Sequence, residues 1–192
     1  MNLTFIRKSI FGGILISLGG CVFLSAGGII GAILFAFGLS SVILSESNLF
    51  TGKSGFCENK KDYFNLIGIL LLNFVGCFFI ALLTNNSVDS LNIIEKRIAT
   101  SFTTVFSLSI CTGIIMTLSV AFAKYKQNWL PLILGVPLFI LSGMPHCIAD
   151  AYYYFIAMIK GYWWENSLFL TWGVSIIGNF LGCIIPTKIF NI

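Results

Sequence analysis

Long apolar runs joined by short polar stretches are the feature that most restricts how this chain can fold. They recur along the whole length, and only 9% of the 192 residues are charged. A soluble globular domain carries about 25% charged residues, so the chain lacks the polar surface that it would need in water. In hydrocarbon the backbone must satisfy its own polar groups, which leaves helices or a closed barrel. Because the runs lack the alternation of barrel strands, they predict an all-α membrane protein.

The runs indicate six transmembrane segments within one membrane domain, residues 1–192. The first, third, fourth and sixth are predicted at about 9–27, 63–83, 99–123 and 166–189, the second begins near Ile29, and the fifth covers 129–159. Apolar sequence continues almost unbroken from the N-terminal basic pair to Leu44 without an A-x-A cleavage site. We therefore interpret the beginning of the chain as the first membrane helix and not as a signal peptide.

Two of the six segments contain a predicted break. The second loses hydrophobicity at 45–48 before the sequence Leu49-Phe50-Thr51-Gly52. The fifth exceeds the roughly 20 residues that one crossing needs, and it contains four residues that disturb helices: Pro131, Pro137, Gly143 and Pro145. Proline removes a helical hydrogen bond and kinks the chain. We therefore expect two helical pieces that meet near His146.

Basic residues predict the orientation in the membrane. With the N-terminus inside, eight Lys and Arg residues lie in cytoplasmic joints and three lie outside, namely Lys96, Arg97 and Lys160. The excess of basic residues in cytoplasmic joints predicts that both termini are cytoplasmic and that the number of crossings is even. The net charge of +4 follows from this bias and gives no reason to expect nucleic acid as a partner.

The six cysteines give no indication of a disulfide framework or a metal site. They are scattered singly, without a C-x-x-C motif, at positions 21, 57, 77, 111, 147 and 183. Five of them lie in apolar runs, where cysteine behaves as a small hydrophobic residue. A metal site needs neighbouring ligands that the sequence does not supply. We expect no metal and no cofactor.

A repeated five-residue motif is the most informative feature of the sequence. Residues 73–77 are Asn-Phe-Val-Gly-Cys in the third segment, and residues 179–183 are Asn-Phe-Leu-Gly-Cys in the sixth. Each motif follows a segment with a predicted break. If the halves, about 1–97 and 98–192, are equivalent, three crossings in each force opposite orientations, which is the inverted 3+3 repeat of many transporters. The alternative is that the motif only allows close helix packing through glycine.

The two predicted breaks point to one interior space. Unwound backbone at membrane depth must be buried in protein or line a cavity, and we interpret the shared space as a pore. His146, the only histidine in the chain, lies in the second break. Ionisable residues inside a membrane are energetically expensive and are functional by default. The alternative is a buried ring that is hydrogen-bonded to a backbone carbonyl freed by Pro145.

These residues together resemble the formate/nitrite transporter family. The family's L-F-T-G loop is similar to 49–52, and its F-x-x-S-G-x-x-H-x-x-A motif is similar to 139–149. Its G-N-x-x-G motifs are matched fully at 178–182 and partly at 72–76. The resemblance covers nearly the whole chain. It implies an aquaporin-like fold, a homopentamer with one pore in each protomer, and a place in the bacterial inner membrane.

The resemblance also implies roles for single residues. His146 would be the central pore histidine, and Thr51 would be the hydroxyl that faces it. The apolar constrictions would come from Phe35, Leu39, Leu49, Phe50 and Phe139. The candidates for polar support are Asn48, Asp150, Asn73 and Asn179. The chain departs from the family pattern at Pro145 and Asn48, where an acid is common, at Asp150, where asparagine is common, and at Gly113, which also replaces an asparagine.

The predicted function is a channel or transporter for small monovalent anions or their conjugate acids, of the formate, nitrite or hydrosulfide class. An anion meets a barrier of several kcal/mol at the bilayer centre. His146 would either supply a positive charge there or hand over a proton, because its ordinary pKa is near 6.5. One alternative is a channel for water, urea or ammonia, although N-P-A repeats are absent. Another is an accessory membrane protein, and an enzyme is not expected because G-x-S-x-G and H-E-x-x-H are absent.

Overall fold

The computed structural model describes residues 2–162 and 166–190 of the chain. Over these residues the protein is entirely helical, as predicted, and forms no β-strand. The helices are α1 (Leu3–Ala26), α2 (Gly28–Leu44), α3 (Phe50–Ser54), α4 (Lys60–Thr84), α5 (Leu91–Ala99), α6 (Phe102–Tyr125), α7 (Leu130–Leu141), α8 (Cys147–Ile159) and α9 (Asn166–Phe190).

Four of these helices, α1, α4, α6 and α9, are long and apolar enough to cross a membrane. Side-chain caps fix where three of them begin. The side chain of Asn2 accepts a hydrogen bond from the Phe5 amide, and Ser101 does the same for Thr104. Asn59 and Asp62 form a capping box at the start of α4. Such caps satisfy amides that have no helical partner, so α1 begins before the apolar run itself, ahead of the predicted residue 9.

Three shorter apolar helices, α2, α7 and α8, and the five-residue α3 lie in the two regions where the sequence predicts breaks. Residues 45–49 separate α2 from α3, and residues 142–146 separate α7 from α8. The two interruptions have the same length and the same order of turn and extended residues. Gly143 has a φ of 66°, which glycine adopts at little cost. The two interruptions therefore have closely similar backbones.

Glycine contacts hold the long helices together in two pairs. Helix α1 packs on α4, and a side chain at Gly76 would collide with the backbone of Ile10. Helix α6 packs on α9, and a side chain at Gly182 would collide with the carbonyl of Ile110. Small residues allow this close backbone approach in membrane proteins. The short helices connect the pairs, because α8 packs on α4 and α3 packs on α9.

Helix α5 is a departure from the sequence prediction. The sequence predicts a polar joint at 84–97, but residues 91–99 form a helix with one apolar face. Ile94 on that face is fully buried with Tyr154, Ala157 and Leu168. Packing of this face against α8 and α9 stabilises the helix, and it places Lys96 and Arg97 over the interruption between α7 and α8.

Candidate functional site

His146 lies at the N-terminus of α8 and contacts Thr51 in the first turn of α3. The ring Nε2 is 3.0 Å from Thr51 Oγ1, and the ring Nδ1 accepts a hydrogen bond of 3.1 Å from the Ala149 amide. His146 and Thr51 are 1% and 0% exposed. The two short helices that follow the interruptions thus bring together the histidine and the hydroxyl that the family resemblance singles out.

The hydrogen bonds of His146 define its tautomer. A backbone amide can only donate, so Nδ1 must carry a lone pair to accept from Ala149. A neutral ring then has its proton on Nε2, and Nε2 donates to Thr51 Oγ1. The hydroxyl hydrogen of Thr51 is consequently not used in the contact with His146. A doubly protonated ring would place two hydrogens between Nδ1 and the Ala149 nitrogen, so this conformation favours the neutral ring.

Aromatic rings cover one side of His146. The ring of Phe139 stacks on the imidazole with centroids 5.5 Å apart, and the ring of Phe35 meets Phe139 edge-on at 6.2 Å. Leu39 and Leu49 are equally buried and line a small cavity together with Lys53 and Lys124. Phe50, the fifth residue predicted to form a constriction, is also buried in this core.

Asn73 ties three parts of the first half together. Its Oδ1 accepts from the amide of Phe50, the first residue of α3. Its Nδ2 donates to the carbonyls of Ser9 in α1 and Asn48 in the interruption, at 2.6 and 2.9 Å. The side chain is fully buried. Asn73 therefore satisfies the Phe50 amide and the Asn48 carbonyl, which have no helical partner, and it supports the interruption without contacting His146.

Asn179 makes the corresponding contacts in the second half. Its Oδ1 accepts from the amide of Cys147, the first residue of α8, at 2.8 Å. Its Nδ2 donates to the carbonyls of Ser109 and Pro145 at 2.8 and 3.0 Å. Position by position, Ser109 replaces Ser9, Pro145 replaces Asn48 and Cys147 replaces Phe50. The repeated Asn-Phe-x-Gly-Cys motif thus has the same structural task in both helices.

The cysteine of each motif reaches the other half. The thiol of Cys77 donates to the carbonyl of Ile148, the second residue of α8, at 3.4 Å. The thiol of Cys183 donates to the carbonyl of Thr51, the second residue of α3, at 3.2 Å. Such contacts are weak. Each short helix that follows an interruption is thus hydrogen-bonded to an asparagine of its own half and to a cysteine of the opposite half.

The remaining two candidates for polar support differ in their surroundings. The Asn48 side chain donates to Ser9 Oγ at 3.1 Å, and its backbone amide donates to the Lys8 carbonyl, so Asn48 anchors the interruption to α1. Asp150 is 1% exposed and pairs with Arg97 at 3.3 Å. Burial alone would lower the pKa of the Arg97 guanidinium, but the charge and hydrogen bonds of Asp150, with smaller contributions from nearby tyrosines, raise it above its ordinary value. The charge of Asp150 therefore favours the charged form of Arg97.

A cavity of about 660 Å³ leads to the aromatic side of the site. Its lining includes Phe139, His146 and Asp150, and also Lys96 and Arg97 from α5. The sequence analysis used the two basic residues only to assign orientation. The apolar spacing of Ile94 and Ile98 next to them was the available signal for a helix that could bring them to the site.

A buried histidine stacked on an aromatic ring, at an interruption between apolar helices, is the arrangement expected of a membrane channel or transporter. A family model described as formate/nitrite transporter matches residues 2–192. The chain belongs to this family, which confirms the resemblance seen in the sequence. The family consists of transport proteins and not of enzymes.

Solved structures have the same fold. A structure described as a pentameric formate channel with formate bound superimposes with a TM-score of 0.76 at 20% identity, over 98% of this chain and 93% of that chain. A structure described as an FNT family ion channel gives a TM-score of 0.78 at 19% identity, over 98% of this chain and 87% of that chain. No curated protein matches the chain by sequence.

Proposed function

We propose that this protein is a channel for small monovalent anions of the formate, nitrite or hydrosulfide class, and that they cross as the conjugate acid. The observation that carries the proposal is the buried His146–Thr51 pair, whose imidazole stacks on Phe139, which in turn contacts Phe35. Family membership and the formate-bound structural neighbour support an anion as the solute.

The proposed path has basic residues at both ends and apolar residues on either side of its centre. Lys96 lines the larger cavity, while Lys53 and Lys124 line the smaller one. Positive charge at a mouth raises the local concentration of anions. The apolar rings then exclude an anion, because its transfer from water is unfavourable by several kcal/mol. A weak acid that takes a proton from water at the mouth meets a much lower barrier.

At the centre, the Thr51–His146 pair supplies hydrogen bonds in place of water. The Thr51 hydroxyl donates to the carbonyl, nitrosyl or sulfur atom of the solute, while Nε2–H of the neutral ring holds the Thr51 oxygen. If the acid dissociates here, the ring turns Nδ1 from the Ala149 amide towards the solute, and this nitrogen accepts the proton and returns it as the solute leaves. His146 in this way links the movement of the anion to that of a proton.

The proposed architecture has six crossings: α1, α2 with α3, α4, α6, α7 with α8, and α9. The halves 1–97 and 98–192 form an inverted repeat within one domain, a proposal supported by the equivalent contacts of Asn73 and Asn179. We place the protein in the bacterial inner membrane with cytoplasmic termini, as the distribution of basic residues favours. The pentameric neighbour supports a homopentamer with one pore in each protomer.

The test is flux into liposomes that contain the purified protein. Formate, nitrite and hydrosulfide should enter, and at constant total anion the rate should rise about tenfold for each pH unit lowered, because the acid form rises by that factor above its pKa. His146→Phe and Thr51→Val should abolish this flux, while Thr103→Val, at an exposed threonine of α6, should leave it unchanged. Liposomes that pass urea or glycerol but none of the anions would instead establish a neutral-solute channel.

A further inference from the structure

We propose that Arg97 is a positioning residue for His146, acting through both ends of the segment that carries the histidine. Arg97 belongs to α5, outside the long apolar helices. Its guanidinium donates to the carbonyls of Gly143 and Met144, which precede His146. It also donates to both carboxylate oxygens of Asp150, four residues after His146, at 3.3 to 3.4 Å.

Arg97 is the hydrogen-bond partner that the structure gives to two carbonyls of the interruption and to the buried carboxylate of Asp150. Gly143 and Met144 lie in the interruption, so their carbonyls have no partner in a regular helix. Asp150 is 1% exposed, and a buried carboxylate without a partner is strongly destabilising. A guanidinium has five donors in a rigid planar fork, which suits two carbonyls and a carboxylate together. A lysine at this position would keep the charge but lose the geometry.

Comparison of the two interruptions explains why the second needs this additional support. In the first, the Asn48 amide donates to the carbonyl of Lys8 in α1. Pro145 occupies the equivalent place in the second interruption, and proline has no amide hydrogen to donate. The carbonyl of Leu108, equivalent to that of Lys8, instead accepts from the hydroxyl of Thr112. The hydrogen bonds of Arg97 to Gly143 and Met144 take the place of the missing amide contact, and they come from α5 instead of α6.

The consequence for His146 follows from its role as the N-cap of α8. Its ring is oriented by the Ala149 amide, one residue before Asp150, and by Thr51 of the opposite half. A shift of residues 143–150 would break the contact with Thr51, because that threonine belongs to a separate helix. Arg97 therefore acts on transport through the position of the histidine, and its own charge is largely neutralised by Asp150.

Liposome flux distinguishes positioning from simple attraction of anions, and this part of the test rests on the proposed function. Asp150→Asn makes the cavity more positive, so attraction alone predicts faster formate entry, whereas loss of positioning predicts a decrease of about tenfold or more. Arg97→Lys and Arg97→Gln should show a similar decrease. Flux through the double variant Arg97→Gln/Asp150→Asn should be no slower than flux through the slower single variant, because both substitutions break the same ion pair.

Lys96→Gln is the matched control, because Lys96 is adjacent, exposed and in the same cavity. Its effect should be small and should vanish at high salt, where the Debye length falls to about 3 Å at 1 M. The Arg97 and Asp150 effects should persist at high salt. Wild-type flux in Arg97→Lys, faster flux in Asp150→Asn, or a salt dependence equal to that of Lys96→Gln would each overturn the proposal.

Hydrogen exchange measured by mass spectrometry tests the same proposal without any flux. Arg97→Gln and Asp150→Asn should speed exchange in residues 143–150 and leave the peptide that contains α3 unchanged. Equal acceleration in both peptides would show general loss of structure and would contradict a local role for Arg97. If wild-type liposomes pass no anion, the proposed function fails, but the exchange result still decides whether Arg97 positions this segment.

Discussion

Replacement of Asn179 by leucine is the sharpest test of how the site is held. The two side chains have the same number and branching of heavy atoms, so the change removes hydrogen bonds without opening a large cavity. Asn179 binds three backbone groups, on Cys147, Pro145 and Ser109, and it is fully buried. The substitution therefore isolates the polar contribution of one residue of the repeated motif.

The expected loss of unfolding free energy depends on which backbone groups lose their only hydrogen-bond partner. The carbonyl of Ser109 lies inside α6, where it keeps a helical position. The amide of Cys147 begins α8 and the carbonyl of Pro145 lies in the interruption, so both are left unsatisfied. At about 1–3 kcal/mol for each such group, the expected loss is about 2–6 kcal/mol. In membrane proteins, double-mutant cycles give an average of about 0.6 kcal/mol for each hydrogen bond. Three such bonds amount to about 2 kcal/mol, which agrees with the lower end of this range.

The assay is reversible unfolding in mixed detergent micelles, with formate flux into liposomes measured in parallel. Asn179→Leu should lower the unfolding free energy by the amount above and should abolish flux, because the N-terminus of α8 carries His146. Asn92→Leu, at an exposed position of α5, is the control and should change the unfolding free energy by less than about 0.5 kcal/mol. An Asn179→Leu protein with both wild-type stability and wild-type flux would refute the reasoning.

Three further substitutions test the packing, the constriction and a surface ion pair. Gly182→Ala should lower the melting temperature, because its methyl group collides with α6 and overpacking costs about 1–3 kcal/mol, whereas Gly173→Ala, with open space around it, should not. Phe139→Ala removes the ring stacked on His146 and should raise lactate flux relative to formate flux; an unchanged ratio would mean that this ring does not limit solute size. Glu46→Gln should alter stability by less than about 0.5 kcal/mol, since its pair with Lys8 is exposed, and a larger loss in the melting curve would contradict this.

The sequence predicts the site well where local chemistry determines the backbone. Pro145 and Gly143 predict the interruption before α8, and the polar residues at 45–48 predict the one before α3. The repeated asparagines predict that the interruptions are supported, because a buried amide needs several partners. Periodicity and composition contain no information about which distant carbonyls those partners are. The contacts of Asn73 with Ser9 and of Asn179 with Ser109 therefore emerge only from the three-dimensional packing.

The contacts of Arg97, by contrast, are not predicted by the sequence. The charged residues 95–97 indicate a joint in the sequence, whereas helix α5 is stabilised by the tertiary packing of Ile94. Asp150 remained ambiguous for the same reason, because its partner is 53 positions away in the chain. The ion pair between α5 and the start of α8 can be recognised only from the three-dimensional structure.

The asparagine contacts also restrict how the two interruptions can move. Asn73 joins α1, α4 and the start of α3, and Asn179 joins α6, α9 and the start of α8. Displacement of either interruption alone would break the hydrogen bonds of its asparagine, and α8 is also held by its packing on α4 of the other half. Phe35 belongs to the first half and Phe139 to the second, and their rings touch. Any displacement of one half relative to the other would therefore change the contact between these rings, one of which stacks on His146.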